Sequence, residues 1–214
     1  MKTLTFVRHG QSVANAGGIT MAHDVIPLSP LGWAQAEKLA ALLPAQPSAI
    51  FASAYLRAQE TARPYSERVG VPVQIHPALH EFSNLDPALL AGLNGEQRQP
   101  HALAYWQAAD PNQRMGEQAE TFAEFSERVT GFLPELAALP ADAVLFGHGM
   151  WLGHLAWQLL GFPSSDSLGM KAFRRFQGGL PMPNCAVYHL QELAPGQWRV
   201  QANEALLREL AQVA

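Results

Sequence analysis

The sequence is short of several things, and each shortage removes an option. It holds one cysteine, Cys185, so neither an intrachain disulfide nor a multi-cysteine zinc site is available, and the fold must stand without staples. Charged residues make up only 15% of the 214, and the 14 lysines and arginines are outnumbered by 18 acids, for a net charge of −4. That balance lacks the bulk electrostatics of a general nucleic-acid binder. No internal repeat, low-complexity run or Gly/Ser linker divides the chain. Between Lys2 and Arg8 there is no room for the apolar core of a signal peptide. Long apolar runs are scarce as well. The one candidate, residues 143–165, carries no Asp, Glu, Lys or Arg and could span a bilayer on count alone. It also contains His148, His154, Gln158, Pro163 and four glycines, so a buried strand, turn and helix is the better reading. The expectation is a soluble cytoplasmic protein with no membrane or nucleic-acid partner; oligomeric state is not written in the sequence.

Apolar residues are plentiful, at 48%, which is enough for a real core and excludes disorder. Thr3–Val7, Ala49–Ala52, Val71–Ile75 and Ala143–Phe146 read as strands, with Pro72 favouring a strand start or an edge. Two more, Ala186–Leu190 and Trp198–Val200, flank the turn Ala194-Pro195-Gly196-Gln197. Helical spacing runs from Leu31 to the stop at Pro44 and from Tyr55 to Val69, where Pro64 should kink or shorten the helix. Thr121 and Glu124 form a capping box ahead of Phe122, Phe125, Val129, Phe132 and Leu136, with Pro134 a point of doubt along that helix. A further helix passes through Trp151, Leu155 and Leu159, and the Trp151, Leu152, Trp157 cluster reads as core. Residues 83–120 read only as short helices and loops. Strands alternating with helices predict an α/β fold, a three-layer α/β/α sandwich around a mostly parallel sheet.

In such sheets ligands sit beyond the carboxyl ends of the strands. The residues there are Arg8-His9-Gly10, Ser53, the stretch from His76 to Glu81, and His148-Gly149, with Arg57 early in the following helix. Two guanidiniums supply planar forks for phosphate oxygens and stay charged at working pH. A histidine at a strand end offers an unprotonated nitrogen as nucleophile near neutrality. Gly10 would let the backbone approach a ligand, and the turn Gln11–Asn15 offers amides and the Asn15 side chain to an anion. Such a pocket can stabilise a transferring phosphoryl group without a metal.

Each residue has a plainer reading. Arg8 alone could pair with a surface acid, His9 could be a loop histidine, and Arg57 a solvated helix arginine. His148 and His154 lie six apart, a spacing that does not stack on a helix as metal ligands would, and His154 and His80 read as structural or peripheral. Gly147-x-Gly149-x-x-x-Gly153 is one residue longer than the dinucleotide fingerprint and lacks the later acid. Cys185 has no basic neighbour in sequence and reads as a buried strand residue. Neither a metal nor an organic cofactor is expected.

Taken together, Phe6-Val7-Arg8-His9-Gly10-Gln11-Ser12 with Asn15, Leu28–Gly32 with Gln35-Ala36, Ser53–Ala62 around Arg57, Gly147-His148-Gly149 and Pro183-Asn184-Cys185 resemble the histidine phosphatase (phosphoglycerate-mutase-like) superfamily. The matching blocks run in the family's order from residue 6 to about 190. The resemblance implies a single such domain over 1–214, with 83–120 as a substrate-lid insertion. It implies His9 as the nucleophile that becomes phosphohistidine, with Arg8, Arg57, His148 and Asn15 holding the phosphoryl group. Leu79-His80-Glu81 matches the position of the proton donor, so Glu81 is the expected acid, with Asp86 and Glu120 as substitutes. Beyond Glu81 the chain reads Phe82-Ser83-Asn84-Leu85-Asp86-Pro87, where relatives often carry a glycine, tryptophan and Glu-Gly pattern. Between Glu81 and His148 lie only Arg98, Arg114 and Arg128, without the paired arginines of the mutases. The implied activity is therefore hydrolysis of a small phosphate ester, with mutase-type transfer or phosphate binding without turnover as alternatives. The leaving group would fall to residues 83–120, with Tyr105, Trp106 and Arg114 as candidates. Sugar phosphates, a nucleoside monophosphate and phosphoglycerate all remain open as substrates.

Overall fold

A computed structural model describes residues 2–213. Its single six-stranded sheet has the order β3-β2-β4-β1-β5-β6. These are β1 (Lys2–Arg8), β2 (Ile50–Ala52), β3 (Val73–Ile75), β4 (Val144–Gly147), β5 (Val187–Ala194) and β6 (Gln197–Ala202). The first four are mutually parallel, while β5 pairs antiparallel with β1 and β6 with β5. The short β3 is an edge strand, as Pro72 suggested. Period-two alternation sends β1 residues to opposite faces. Leu4 and Phe6 join the larger apolar cluster and Val7 the smaller. In β4, Leu145 and its neighbours Val144 and Phe146 divide in the same way.

The smaller cluster is closed by α1 (Pro30–Leu42), α2 (Leu56–Val69) and α8 (Glu204–Leu210). The larger is closed by α4 (Phe122–Gly131), α5 (Leu133–Ala138), α6 (Gly149–Leu159) and α7 (Ser167–Gly179). The result is the expected α/β/α sandwich. Residues 143–165 are the strand β4 and the helix α6, with Trp151 and Leu152 fully buried and Trp157 nearly so. Among the described residues no helix is long and apolar enough to cross a membrane.

Four helices depart from the sequence reading. Pro64 does not shorten α2, which runs 14 residues through it. The buried face Arg57, Ala58, Thr61, Ala62 and Tyr65 supplies packing that outweighs the lost backbone bond. Residues 83–120 contain a 14-residue helix, α3 (Gly95–Ala108), started by a capping box of Asn94 and Gln97. Helix α7, capped by Asp166, and helix α8, capped by Asn203, were not foreseen at all. Pro134, by contrast, does mark a break: α4 ends at Gly131 and α5 begins at Leu133. Cys185 is buried but lies in the turn before β5 with φ +59°, not in the strand, and burial pushes its thiol up to about 12.

Candidate active site

Strand β4 lies between β1 and β2, and this order assembles the site. His9 follows β1, His148 follows β4 and Ser53 follows β2, so three chain ends from adjacent strands open onto one crevice. Backbone bonds hold them in step, His9 N–H to Gly147 O and Ser53 N–H to Phe146 O, both at 2.9 Å. The rings of His9 and His148 meet edge-on with centroids 5.2 Å apart, about one inter-strand spacing. Arg57 reaches the same point from the first turn of α2, and its Nε donates to His9 Nε2 at 3.2 Å. Arg8, His9, Arg57 and His148, far apart in sequence, are thus gathered as expected.

The hydrogen bonds fix the tautomer of His9. Its Nδ1 lies 2.7 Å from the Gly10 carbonyl, which can only accept, so the ring proton sits on Nδ1 and the Nε2 lone pair faces Arg57. Ser53 Oγ accepts from the Tyr55 N–H at 3.2 Å and lies 2.9 Å from His148 Nε2. A hydroxyl has a proton and a second lone pair, so it can serve either tautomer of that ring, whose other nitrogen is Nδ1. That Nδ1 and the Arg8 Nε are buried without a protein partner. Arg8 Nη1 donates to the Met182 carbonyl, and Arg57 Nη1 to the His23 carbonyl at 2.7 Å.

Burial and the two guanidiniums together push both histidines well below their ordinary range, so both rings are neutral at pH 7. Burial also lowers Arg8, and brings Arg57 to about 10, in each case against the opposing pull of Glu81. Both remain charged at neutrality. A buried and a half-buried cation beside a neutral, lone-pair-bearing imidazole make a site for an oxyanion that can be attacked.

The loop after His9 serves its own geometry more than a ligand. Gly10 N–H donates to Thr61 Oγ1, Gln11 N–H to Gln35 Oε1, Ser12 N–H to Asn15 Oδ1 and Val13 N–H to Pro27 O. The amides of residues 10–13 are therefore spent within the protein, contrary to the expectation that they face an anion. Asn15 Oδ1 also accepts from Asn184 Nδ2 at 3.1 Å, which leaves its amide N–H groups as the donors on offer. Gly10 is required for a different reason from the one expected. A Cβ there would lie 2.7 Å from the Gly32 carbonyl, and a Cβ on Gly32 would lie 2.0 Å from the Gln11 carbonyl. The loop and the first turn of α1 touch backbone to backbone.

Glu81 arrives one 3-10 turn (Pro77–Leu79) after β3. Its carboxylate accepts from Phe82 N–H and Trp151 N–H at 3.0 Å and from Met150 N–H at 3.1 Å. Helix α6 has no side-chain cap of its own at His148, so Glu81 fills that role and meets the positive end of the helix. The two substitute acids are engaged elsewhere. Asp86 accepts from the Ala88 and Gln118 N–H groups, and Glu120 makes a two-pronged pair with Arg128 at 2.8 Å.

Tyr105, Trp106 and Arg114 do not form the approach to the site. Tyr105 is buried in the larger cluster, Trp106 packs on Phe122 beneath Arg174, and Arg114 binds Glu124 and the Ala119 carbonyl. Beside Arg57 there is instead a cavity of about 240 Å³ lined by His23, Asp24, Tyr55, Ser83 and Gln118. Tyr55 adjoins the phosphate-facing groups, its ring 4.9 Å from the Arg57 guanidinium carbon and 5.2 Å from the His148 ring. Sequence reasoning missed His23, Tyr55, Thr61 and Asn184. Thr61, Tyr55 and Asn184 all stand inside blocks already noted, whereas nothing in the sequence pointed to His23. His154 is structural, enclosed by Phe122, Phe125 and Phe173.

The chain is similar to several known proteins. It is 32% identical to the adenosylcobalamin/alpha-ribazole phosphatase of Salmonella typhimurium over 170 residues, which cover 76% of this chain and 82% of that one. It is 30% identical to the protein named "Probable phosphoglycerate mutase GpmB" in Yersinia enterocolitica, over 76% of this chain and 77% of that one. Among solved structures, the mycobacterial glucosyl-3-phosphoglycerate phosphatase in complex with VO3 superposes with a TM-score of 0.73 at 25% identity, covering 95% of this chain and 98% of that chain. The model of the histidine phosphatase superfamily (branch 1) matches residues 4–205, nearly the whole chain, and the protein belongs to that superfamily.

Proposed function

We propose that the protein is a metal-independent phosphomonoesterase that acts through a phosphohistidine on a small phosphorylated metabolite. One observation carries this reading: the His9 Nε2 lone pair, held by the Nδ1–Gly10 bond, faces the buried Arg57 guanidinium and feels the charge of the half-buried Arg8. In the first step Nε2 attacks phosphorus, the bond from phosphorus to the ester oxygen breaks, and Glu81 gives that oxygen a proton. Arg8, Arg57, His148 and the Asn15 amide hold the phosphoryl oxygens as charge shifts onto them. In the second step Glu81 takes a proton from water, the hydroxyl attacks phosphorus, and the bond to Nε2 breaks to release phosphate. The two guanidiniums supply the positive charge that a metal ion supplies in other phosphatases.

In this reading the chain forms one catalytic domain and residues 83–120 are its lid. The segment is fastened to the loop after His9 by Thr20 N–H to Leu93 O, Gly95 N–H to Gly17 O and Arg98 to the Gly18 carbonyl. Mutase chemistry is the second reading, because one relative is named as a mutase. A mutase must hold a carboxylated intermediate, and the three arginines between Glu81 and His148 are occupied. Arg98 binds Gly18, Thr20 and Leu93, Arg114 binds Glu124, and Arg128 binds Glu120 with two carbonyls. Hydrolysis is favoured on that ground.

The test is turnover of para-nitrophenyl phosphate after treatment with excess EDTA, together with trapping of labelled enzyme by an alkaline detergent quench. We expect undiminished turnover and an acid-labile, base-stable phosphoryl label on His9. Activity that vanishes with EDTA and returns with metal would overturn the mechanism. Phosphate binding without turnover under any condition would favour a binding protein of this fold.

A further inference from the structure

The cavity beside the phosphate clamp joins polar groups to a few apolar ones, Ala22, Pro87 and the Tyr55 ring. Asp24 presents a carboxylate, Ser83 a hydroxyl and Gln118 an amide, and no lysine or arginine is among the lining residues. His23 Nε2–H donates to the Leu85 carbonyl at 3.0 Å, which leaves Nδ1 as an acceptor. Burial lowers His23, against the pull of that bond, so at neutral pH it adds no cation. The nearest guanidiniums are already committed. Arg57 belongs to the phosphoryl site, and Arg128 is held by Glu120 and the carbonyls of Ala78 and His80. Tyr55 forms the aromatic wall closest to the phosphoryl group.

We infer that this cavity receives an uncharged, hydroxyl-rich leaving group, a sugar ring, and that Asp24 is the residue that excludes leaving groups carrying a carboxylate. The inference rests on the phosphatase reading above and deepens it. Hydroxyls of a sugar can donate to Asp24 and to His23 Nδ1 and accept from Gln118, while the C–H face of the ring lies on Tyr55. A glycerate carboxylate in the same cavity meets the like charge of Asp24 and no lysine or arginine among the lining residues to pair with, and its rejection comes from that repulsion as much as from any lost contact. The Asp24 side chain is free to do this because the local backbone is held independently, by the Asp24 carbonyl accepting from Leu56 N–H at 2.8 Å.

The experiment measures kcat/KM for glucose 6-phosphate, ribose 5-phosphate, 3-phosphoglycerate and para-nitrophenyl phosphate with the wild-type chain, Asp24→Asn and Asp24→Lys. The readout is the ratio of the better sugar phosphate to 3-phosphoglycerate, which a general loss of activity does not move. We expect a ratio of about tenfold or more in the wild type, narrowed several-fold in Asp24→Asn and reversed in Asp24→Lys. A wild-type preference for 3-phosphoglycerate, or a ratio unmoved by both substitutions, overturns the inference. Turnover of para-nitrophenyl phosphate alone overturns it while leaving the phosphatase reading intact. No turnover of any ester overturns both.

Discussion

His148 and His154 stand on the same short stretch of chain, both fully buried, and they live in different worlds. At the carboxyl ends of the strands, His148 has Ser53 on one nitrogen and shares its surroundings with Arg8, Arg57 and His9. Two turns along α6, His154 is walled in by Phe122, Phe125 and Phe173, and neither ring nitrogen has a partner. Burial dominates both rings and lowers both, His154 to about 3. The same desolvation therefore serves two ends. At the strand ends it acts together with Arg57 and Arg8 on rings that face the crevice; within the helical layer, joined only by the charge of Arg128, it is a cost borne by the fold.

Substitutions can break or sharpen that contrast. His9→Ala should lower turnover of para-nitrophenyl phosphate on the order of 10⁴-fold or more. Its urea midpoint should stay near that of the wild type, because no buried charge loses its only partner. A large fall in stability would make His9 a packing residue first. Next, His148→Ala should cost on the order of 10²-fold or more in kcat, whereas His154→Leu should change kcat by no more than about twofold. Equal losses from the two would erase the distinction drawn here. In the other direction, His154→Leu removes two unsatisfied nitrogens at similar volume and should raise unfolding free energy by about 1–2 kcal/mol, read from urea titrations.

The remaining expectation concerns pH. His9, His148 and His154 stay neutral in the folded chain below pH 6.5, where the unfolded chain binds protons. Stability is therefore unaffected by these groups above about pH 7 and falls as pH drops, by about 1.4 kcal/mol per unit for each ring. For His154 that loss continues to about 3. Urea titrations at pH 7, 6 and 5 should show a shallower fall for His154→Leu than for the wild type, by about one proton. Parallel curves would mean that the ring protonates in place.

Most of the site could be read in advance because its residues are tied to strand ends, and strands announce themselves through β-branched apolar runs. His9, Ser53 and His148 each follow such a run, and Glu81 follows at one remove. Less legible were the features that depend on who meets whom. The Asn94/Gln97 box was present in the sequence, but Pro100 within the helix and its sparse buried face, with only Tyr105 fully covered, left no apolar stripe to see. Helix α7 opens with Asp166 at its cap and is just as clear in retrospect. Glu81 as the cap of α6 could not be seen, since 69 positions separate it from Met150. Nor could the pocket at His23 and Asp24, a segment held by Arg57 on the His23 carbonyl and Leu56 N–H on the Asp24 carbonyl.

The contact between Gly10 and Gly32 bears on how this protein can be altered. Two stretches, Arg8–Asn15 and Leu28–Gln35, meet at a distance that admits no side chain on either glycine, and Ser29 and Gln35 tie them further through Gln11. The loop that carries His9 is consequently not a portable cassette. A graft onto another α/β scaffold has to carry both stretches, and a circular permutation that opens the chain between them has to restore their registry by other means. Libraries aimed at new substrates should leave positions 10 and 32 constant and spend their diversity at 24, 55, 83 and 118, which line the cavity.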